Sequence, residues 1–217
     1  MAVSALQLSE LALHGTAFLC GIISAAALTV TQGAFGGRCV LYGAAARNGT
    51  ALALESSGPA SLCYFVSGVS VLAALYCFAA LLHGIYRCCL DEGRGGRAGL
   101  GVALAVTAAI LFLLLVAAGV LRAGMDALCA SAVRAAGLSS CREAQRRPWP
   151  SRDAGRFYSN LYSAQAAAWV SVAAWGGLLA LLALRRRREA PFALLRRGDP
   201  EWSAETEAIF GGRPARP

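Results

Sequence analysis

Four long stretches of this chain contain no Asp, Glu, Lys or Arg, and they constrain the fold more than any other feature. They run from Leu11 to Val30, Tyr64 to Tyr86, Ala98 to Leu121 and Ala164 to Leu184, with lengths of 20, 23, 24 and 21 residues. Because a helix rises about 1.5 Å per residue, each stretch is long enough to cross about 30 Å of hydrocarbon. The sequence therefore predicts an all-α membrane protein with a bundle of four transmembrane helices.

The composition excludes several classes of protein. Apolar residues make up 57% of the 217 positions and charged residues only 15%, which argues against a soluble enzyme, a disordered protein and a coiled coil. The net charge is +8, and all twenty basic residues are arginines. These arginines lie in loops and in the tail, next to the membrane spans. We therefore expect lipid headgroups, and not nucleic acid, as their partners.

Four spans place both termini on the same side of the membrane. The short loop 87–97 lies on that side, and the longer loops 31–63 and 122–163 lie on the other. With the termini inside, eleven arginines are cytosolic and nine are external, so the positive-inside rule favours this orientation only weakly. The predicted organisation is a membrane domain over residues 1–186 and a cytosolic, largely disordered tail over residues 187–217.

The cysteines support external long loops. Cys39 and Cys63 lie in the first long loop, and Cys129 and Cys141 lie in the second. An even number of cysteines in each loop is typical of disulfides in an oxidising compartment, where small loops lack a core of their own. Pairing within each loop is the preferred connectivity, although four cysteines allow three connectivities.

Two modification sites are predicted from short motifs. Asn48-Gly49-Thr50 is an acceptor for N-glycosylation in the first long loop, well clear of both neighbouring spans. Cys88 and Cys89 follow the second span directly, where S-acylation would insert a fatty chain into the inner leaflet; two unmodified thiols are the alternative. The expected location is the secretory pathway, at the plasma membrane or a secretory vesicle or granule membrane.

The four spans lack the charged residues that are typical of channels and transporters. Channels and transporters usually keep ionisable groups at mid-membrane, and these four stretches have no carboxylate and no arginine. His14 and His83 lie about one turn inside the cytosolic ends of their spans, where a shared proton or metal site competes with the simpler interpretation of side chains reaching toward headgroups. We expect no enzymatic activity, catalytic residue, cofactor, metal site or small-molecule substrate.

Small residues predict close helix packing. Ala17, Gly21 and Ala25 recur every four residues on the first span, a spacing that lets helix backbones approach each other. In the first long loop, residues 38–43 and 50–55 are predicted to form two short strands around an Asn-Gly turn. A small, disulfide-braced β-sheet above the bundle follows from these two features.

Several strings of residues, in order along the chain, carry a family resemblance. They are Phe18-Leu19-Cys20-Gly21, Thr31-Gln32-Gly33, Arg38-Cys39, Leu41-Tyr42-Gly43, Leu62-Cys63-Tyr64-Phe65-Val66, Leu75-Tyr76-Cys77, Phe157-Tyr158-Ser159-Asn160-Leu161 and Gly198-Asp199-Pro200-Glu201-Trp202-Ser203. With these strings the chain resembles the transmembrane protein 179 family, its B-type branch in particular. The resemblance implies a four-pass protein that is distantly claudin-like, and it carries over no catalytic residue. Claudins place tryptophans and two closely spaced cysteines in the first outer loop, whereas this loop has no Trp and its cysteines are 24 positions apart.

The first functional hypothesis is a non-enzymatic accessory or organising subunit that associates laterally with other membrane proteins. The alternative is a claudin-like cell-contact or barrier protein, whose external loops bind loops on an opposing cell. A pathway for ions or small solutes comes third. The expected partners are the lipid bilayer and other membrane proteins.

Overall fold

The computed structural model describes residues 5–48, 51–90, 97–149 and 155–197, of which 48, 87–90, 97–98 and 189–197 are described by their backbone alone. Five helices and two strands follow one another along this part of the chain. They are α1 (Ala5–Ala34), β1 (Cys39–Asn48), β2 (Ala51–Gly58), α2 (Ala60–Leu90), α3 (Arg97–Ala136), α4 (Cys141–Gln145) and α5 (Phe157–Arg197). The four long helices α1, α2, α3 and α5 are each long and apolar enough to cross a membrane. The predicted fold class, a four-helix membrane bundle with a small sheet, is confirmed.

The helices extend beyond the charge-free stretches that predicted them. α3 continues 15 residues past Leu121, and its 40 residues span about 60 Å, about twice the thickness of the hydrocarbon. The first part of the predicted loop 122–163 is therefore helical. The predicted boundary between membrane domain and tail at residue 186 also falls inside a helix, because α5 continues to Arg197. Residues 198–217 lie outside the described residues.

α1 packs against both α2 and α5. Its buried positions include Ala17, Gly21, Ala25 and Leu28, which recur at helical spacing. A Cβ on Gly21 would lie 2.9 Å from the Ser70 carbonyl oxygen and 3.1 Å from the Ala74 Cβ of α2. The small-residue row on α1 is therefore a contact inside the bundle.

Glycines end two of the long helices. Gly36 and Gly37 follow α1 with φ angles of 68° and 80°, and Gly137 follows α3 with φ of 63°. The Gly37 amide donates to the Gln32 carbonyl at 2.9 Å, and the Leu138 amide donates to the Val133 carbonyl at 3.1 Å. These bonds satisfy the last carbonyls of each helix, and the positive φ that turns the chain away suits glycine.

β1 and β2 form a two-stranded antiparallel sheet beyond the membrane-spanning part of the bundle. The register pairs Ala45 with Leu54 and Asn48 with Ala51, with irregularities between Cys39 and Ala45. The predicted strands were therefore correct in place but too short. The sheet packs on the last turns of α3. We call the described residues of 35–59 and 122–156, namely 35–48, 51–59, 122–149 and 155–156, the cap. The cap lies at one end of the bundle; the other end, where α1 begins and α5 ends, is called the tail end.

Candidate association surfaces

Two disulfides brace the cap. One joins Cys39 at the start of β1 to Cys63 in the first turn of α2, and the other joins Cys129 of α3 to Cys141 of α4. Each bond stays within one predicted loop, as the preferred connectivity required. The first disulfide ties the sheet to α2, and the second folds the segment after α3 back onto that helix. Each also restricts the unfolded chain, which is how such small loops gain stability.

A serine on α3 anchors the irregular part of β1. The Ser131 hydroxyl accepts a hydrogen bond from the Ala45 amide at 3.1 Å and donates to the Leu128 carbonyl at 2.8 Å. Gly124, two turns earlier on α3, lies under Leu41 and Tyr42 of the same strand. Sequence reasoning missed both residues, because neither lies in a motif. Their role comes from the contact between a strand and a helix that are about 85 positions apart in the chain.

Tyr42 lies at the irregularity in β1, and its side chain is exposed. Its φ of 60° makes Tyr42 the one non-glycine residue with positive φ in the described chain. The side chain is 44% exposed, whereas its neighbours Val40 and Leu41 are fully buried. A bulky residue rarely adopts this conformation. Such strained residues cluster at functional sites, where the surrounding structure holds them in place.

Three aromatic rings pack against one another where the cap meets α1 and α5. Trp149 contacts Phe157 and Phe35 with ring centroids 5.1 and 5.5 Å apart, and Phe35 lies 6.2 Å from Phe157. The Trp149 indole donates to the Ala144 carbonyl at 3.1 Å, and the Leu52 amide of β2 donates to the Pro148 carbonyl at 3.0 Å. The second long loop is thereby joined to the sheet. Phe157 is a buried core residue, 1% exposed.

The predicted modification sites lie at opposite ends of the molecule. Asn48 is the last residue of β1 in the cap, while Gly49 and Thr50 of its sequon are outside the described residues. Cys88 and Cys89 lie in the last turn of α2, at the tail end, and their side chains are outside the described residues. Glycosylation and S-acylation therefore stay predictions.

The two histidines have different surroundings. The His14 ring lies 6.4 Å from the rings of both Tyr76 and Trp175, inside the bundle. His83 is exposed on the outer face of α2. Within the described chain, no group of three potential metal ligands occurs. The hypothesis of a shared histidine site therefore finds no support in the packing, since only His14 faces the interior.

The membrane-facing surface of the bundle is extensive and apolar. In the most apolar part of each spanning helix, between 22% and 33% of the residues are buried inside the protein. The other residues of these segments are partly or fully exposed at the surface of the protein. α2 has the longest run of exposed large side chains, namely Val71, Leu72, Leu75, Phe78, Leu82 and Ile85.

Residues 6–210 match the family model described as the transmembrane protein 179/179B claudin domain. This chain belongs to the transmembrane protein 179/179B family. It is 49% identical over 215 residues to the transmembrane protein 179B of Homo sapiens and 46% identical over 213 residues to that of Mus musculus, covering 98% and 97% of both chains. The corresponding protein of Danio rerio is 38% identical over its full length.

Membership of this family confirms the predicted resemblance and establishes an integral membrane protein with a claudin-like domain. No solved structure matches the chain.

Proposed function

We propose that the protein is a non-enzymatic accessory or organising subunit that associates laterally with a transmembrane helix of another membrane protein. The observation that carries this proposal is the exposed apolar face of α2. We call this face the α2 ridge and define it as Tyr64, Gly68, Val71, Leu75, Phe78 and Leu82. These residues follow one another at intervals of three or four positions, which aligns them on one side of the helix.

The α2 ridge combines large side chains with one small residue. Tyr64 and Leu75 are 65% and 63% exposed. Gly68 lies between them, and a Cβ added there would meet nothing within 4 Å. In a membrane, hydrophobicity does not distinguish lipid from protein, so association depends on shape and on small residues that let backbones approach. The gap at Gly68 between two projecting side chains is suited to a partner helix.

The uncharged polar groups inside the bundle favour a function at its surface over transport through its interior. The buried polar residues of the described chain are serines, threonines and glutamines, which carry no charge. Ser70, for example, donates to the Val66 carbonyl of its own helix at 2.8 Å, and its hydroxyl lies 3.4 Å from that of Ser24 on α1. Transported ions need charged or strongly polar groups in place of their hydration shell. These side chains are better suited to packing.

Site-specific crosslinking in intact membranes tests the proposal. A benzoylphenylalanine placed at Leu75 or Leu82 should capture a stoichiometric heterologous membrane protein after purification through a C-terminal tag. The same group at Phe112, which is exposed on α3, is the matched control and should not. Gly68→Leu should lower recovery of the partner, whereas Gly119→Leu, at an equally open glycine of α3, should not. Recovery of self-crosslinks alone would contradict the proposal.

A second candidate, a claudin-like cell-contact protein, is favoured by the presentation of Tyr42 on the cap. If the cap binds an opposing cell, the protein should accumulate where two expressing cells touch. It should not accumulate at borders with non-expressing cells in a mixed culture. Tyr42→Ala should abolish this accumulation, while Tyr162→Ala, an equally exposed tyrosine near the start of α5, should leave it unchanged.

A further inference from the structure

A groove between α3 and α5 lies at the tail end of the bundle. Its volume is about 590 Å³, within the range of about 300–1,000 Å³ usual for ligand pockets. Gly101, Ala105 and Ala108 of α3 form one wall, and Leu179 and Ala183 of α5 form the other. Both walls belong to helix segments that are long and apolar enough to cross a membrane, so we expect the groove to open toward hydrocarbon.

Two arginines lie at the end of this groove. Arg186 and Arg187 belong to its lining and follow Leu179 and Ala183 on the same face of α5, at intervals of three and four residues. They are part of a run of four arginines whose members differ in their surroundings. Arg185 forms an ion pair with Glu10 of α1 at 2.7 Å. Arg186 and Arg187 are exposed and form no ion pair with any described residue.

We propose that this groove binds one acyl chain of an anionic glycerophospholipid, with the lipid phosphate held by Arg186 and Arg187. The dimensions fit one leaflet. From Gly101 to Ala108, α3 rises about 10 Å, and from Leu179 to Arg187, α5 rises about 12 Å, against about 15 Å for half of the hydrocarbon. The groove therefore runs from the headgroup region through most of one leaflet.

The apolar walls of the groove and its two arginines bind different parts of the lipid. The apolar walls gain dispersion contacts from any flexible chain, because an unfilled gap leaves their atoms without neighbours. The arginines add selectivity, since a guanidinium can donate two parallel hydrogen bonds to a phosphate. A zwitterionic lipid such as phosphatidylcholine has no net charge, whereas an anionic lipid such as phosphatidylserine keeps a net negative charge that two neighbouring arginines attract. An anionic headgroup is therefore favoured over phosphatidylcholine. This site is independent of the α2 ridge.

Photolabelling of the full chain in nanodiscs tests the site. The probe is phosphatidylserine with a diazirine on its acyl chain, in a background of phosphatidylcholine. We expect labelled peptides from residues 101–108 and 179–187. Excess unlabelled phosphatidylserine should lower this labelling about tenfold, and the same excess of phosphatidylcholine should lower it less than about twofold.

Two independent pairs of variants control the result. Arg186→Gln combined with Arg187→Gln should lower labelling about tenfold, while Arg188→Gln, which removes a charge that does not line the groove, should change it less than about twofold. Ala105→Phe should fill the groove and abolish labelling. Ala109→Phe, at an exposed position of the same helix outside the groove, should not. If one variant fails to fold, the other pair of variants still tests whether the groove binds the lipid.

Three outcomes would overturn the proposal. Equal competition by phosphatidylcholine would mean unselective boundary lipid. Displacement by cholesterol but not by phosphatidylserine would assign the groove to a sterol. Failure of the probe to label these peptides, together with capture of a protein by benzoylphenylalanine at Ala105 in cell membranes, would assign it to a partner helix.

Discussion

Gly124 of α3 lies directly beneath Leu41 of β1, so closely that a Cβ on the glycine would be 2.8 Å from the Leu41 Cβ. Real side chains do not approach to this distance, so the sheet can rest on α3 only because position 124 has no side chain. The contact joins the sheet to the part of α3 that continues past its charge-free stretch. It therefore determines how the sheet is held relative to the spans.

Replacement of this glycine should destabilise the cap. We expect Gly124→Ala to cost about 1–3 kcal/mol, because the sheet must move away from α3, and to lower Tm by about 2–10 °C. Thermal unfolding in detergent measures the effect. Gly119→Ala is the matched control, because a Cβ there meets nothing within 4 Å. A Gly124→Ala protein as stable as the control would mean that the cap is not held on α3 at this point.

The contact between α1 and α2 should be equally sensitive at Gly21. A methyl group at this position would approach the Ser70 carbonyl oxygen to 2.9 Å, which forces two helix backbones apart. We expect Gly21→Ala to lower Tm by several degrees, since overpacking costs about 1–3 kcal/mol. Gly15→Ala, on the same helix but with open space beside it, should match the wild type. Equal effects of the two substitutions would indicate a general intolerance of α1 to alanine.

Loss of the Cys39–Cys63 disulfide should loosen the attachment of the sheet to α2. Cys39→Ser combined with Cys63→Ser removes a cross-link that closes a separation of 24 residues, and we expect a loss of about 2–5 kcal/mol. Unfolding in detergent, followed through limited proteolysis of the cap, measures this change. Cys20→Ser, at a free and partly exposed cysteine, should leave both readouts unchanged. Unaltered proteolysis of the double variant would contradict the bracing role.

The ion pair between Glu10 and Arg185 should couple α1 to α5 at the tail end. Its side chains are 22% and 32% exposed, so the pair is partly shielded from water. A double-mutant cycle with Glu10→Gln and Arg185→Gln should give a coupling of about 0.5–1 kcal/mol, decreasing at high salt. The same cycle with Arg188→Gln in place of Arg185→Gln should give none. A coupling of zero for the first cycle would mean that the contact is incidental.

The orientation of the chain is testable through its two ends. If the cap is external, Asn48 should carry a glycan. Glycosidase treatment should then increase gel mobility of the wild type and not of Asn48→Gln. A C-terminal epitope should be reached by antibody only after permeabilisation. Labelling of that epitope on intact cells would reverse the topology.

The main features of the fold were readable from local patterns. A stretch of apolar residues without charge is a property of each segment alone, and hydrocarbon accepts such a segment as a helix wherever it occurs. The cysteines were informative for a similar reason, because an even number in each loop restricts their pairing. Loop placement favoured pairing within each loop among three possible connectivities, and the structure has this pairing, Cys39–Cys63 and Cys129–Cys141.

Contacts between distant segments were not readable in this way. The length of α3, the position of Ser131 under Ala45 and the burial of Phe157 all depend on which elements meet beyond the membrane. Outside the membrane, a helix continues past its apolar stretch when another element packs on one of its faces. The sequence of the helix alone does not show which element that is.

The division between the two kinds of information has a single physical cause. The sequence by itself determined that this chain crosses a membrane four times and closes two disulfide-stabilised loops, because transfer into lipid and loop closure depend on composition and spacing within short segments. Only the tertiary structure decided which faces of the helices remain open. The α2 ridge and the groove ending at Arg186 and Arg187 exist because α1 occupies the other faces of α2 and α5, and that choice rests on the fit of small residues such as Gly21 between helices.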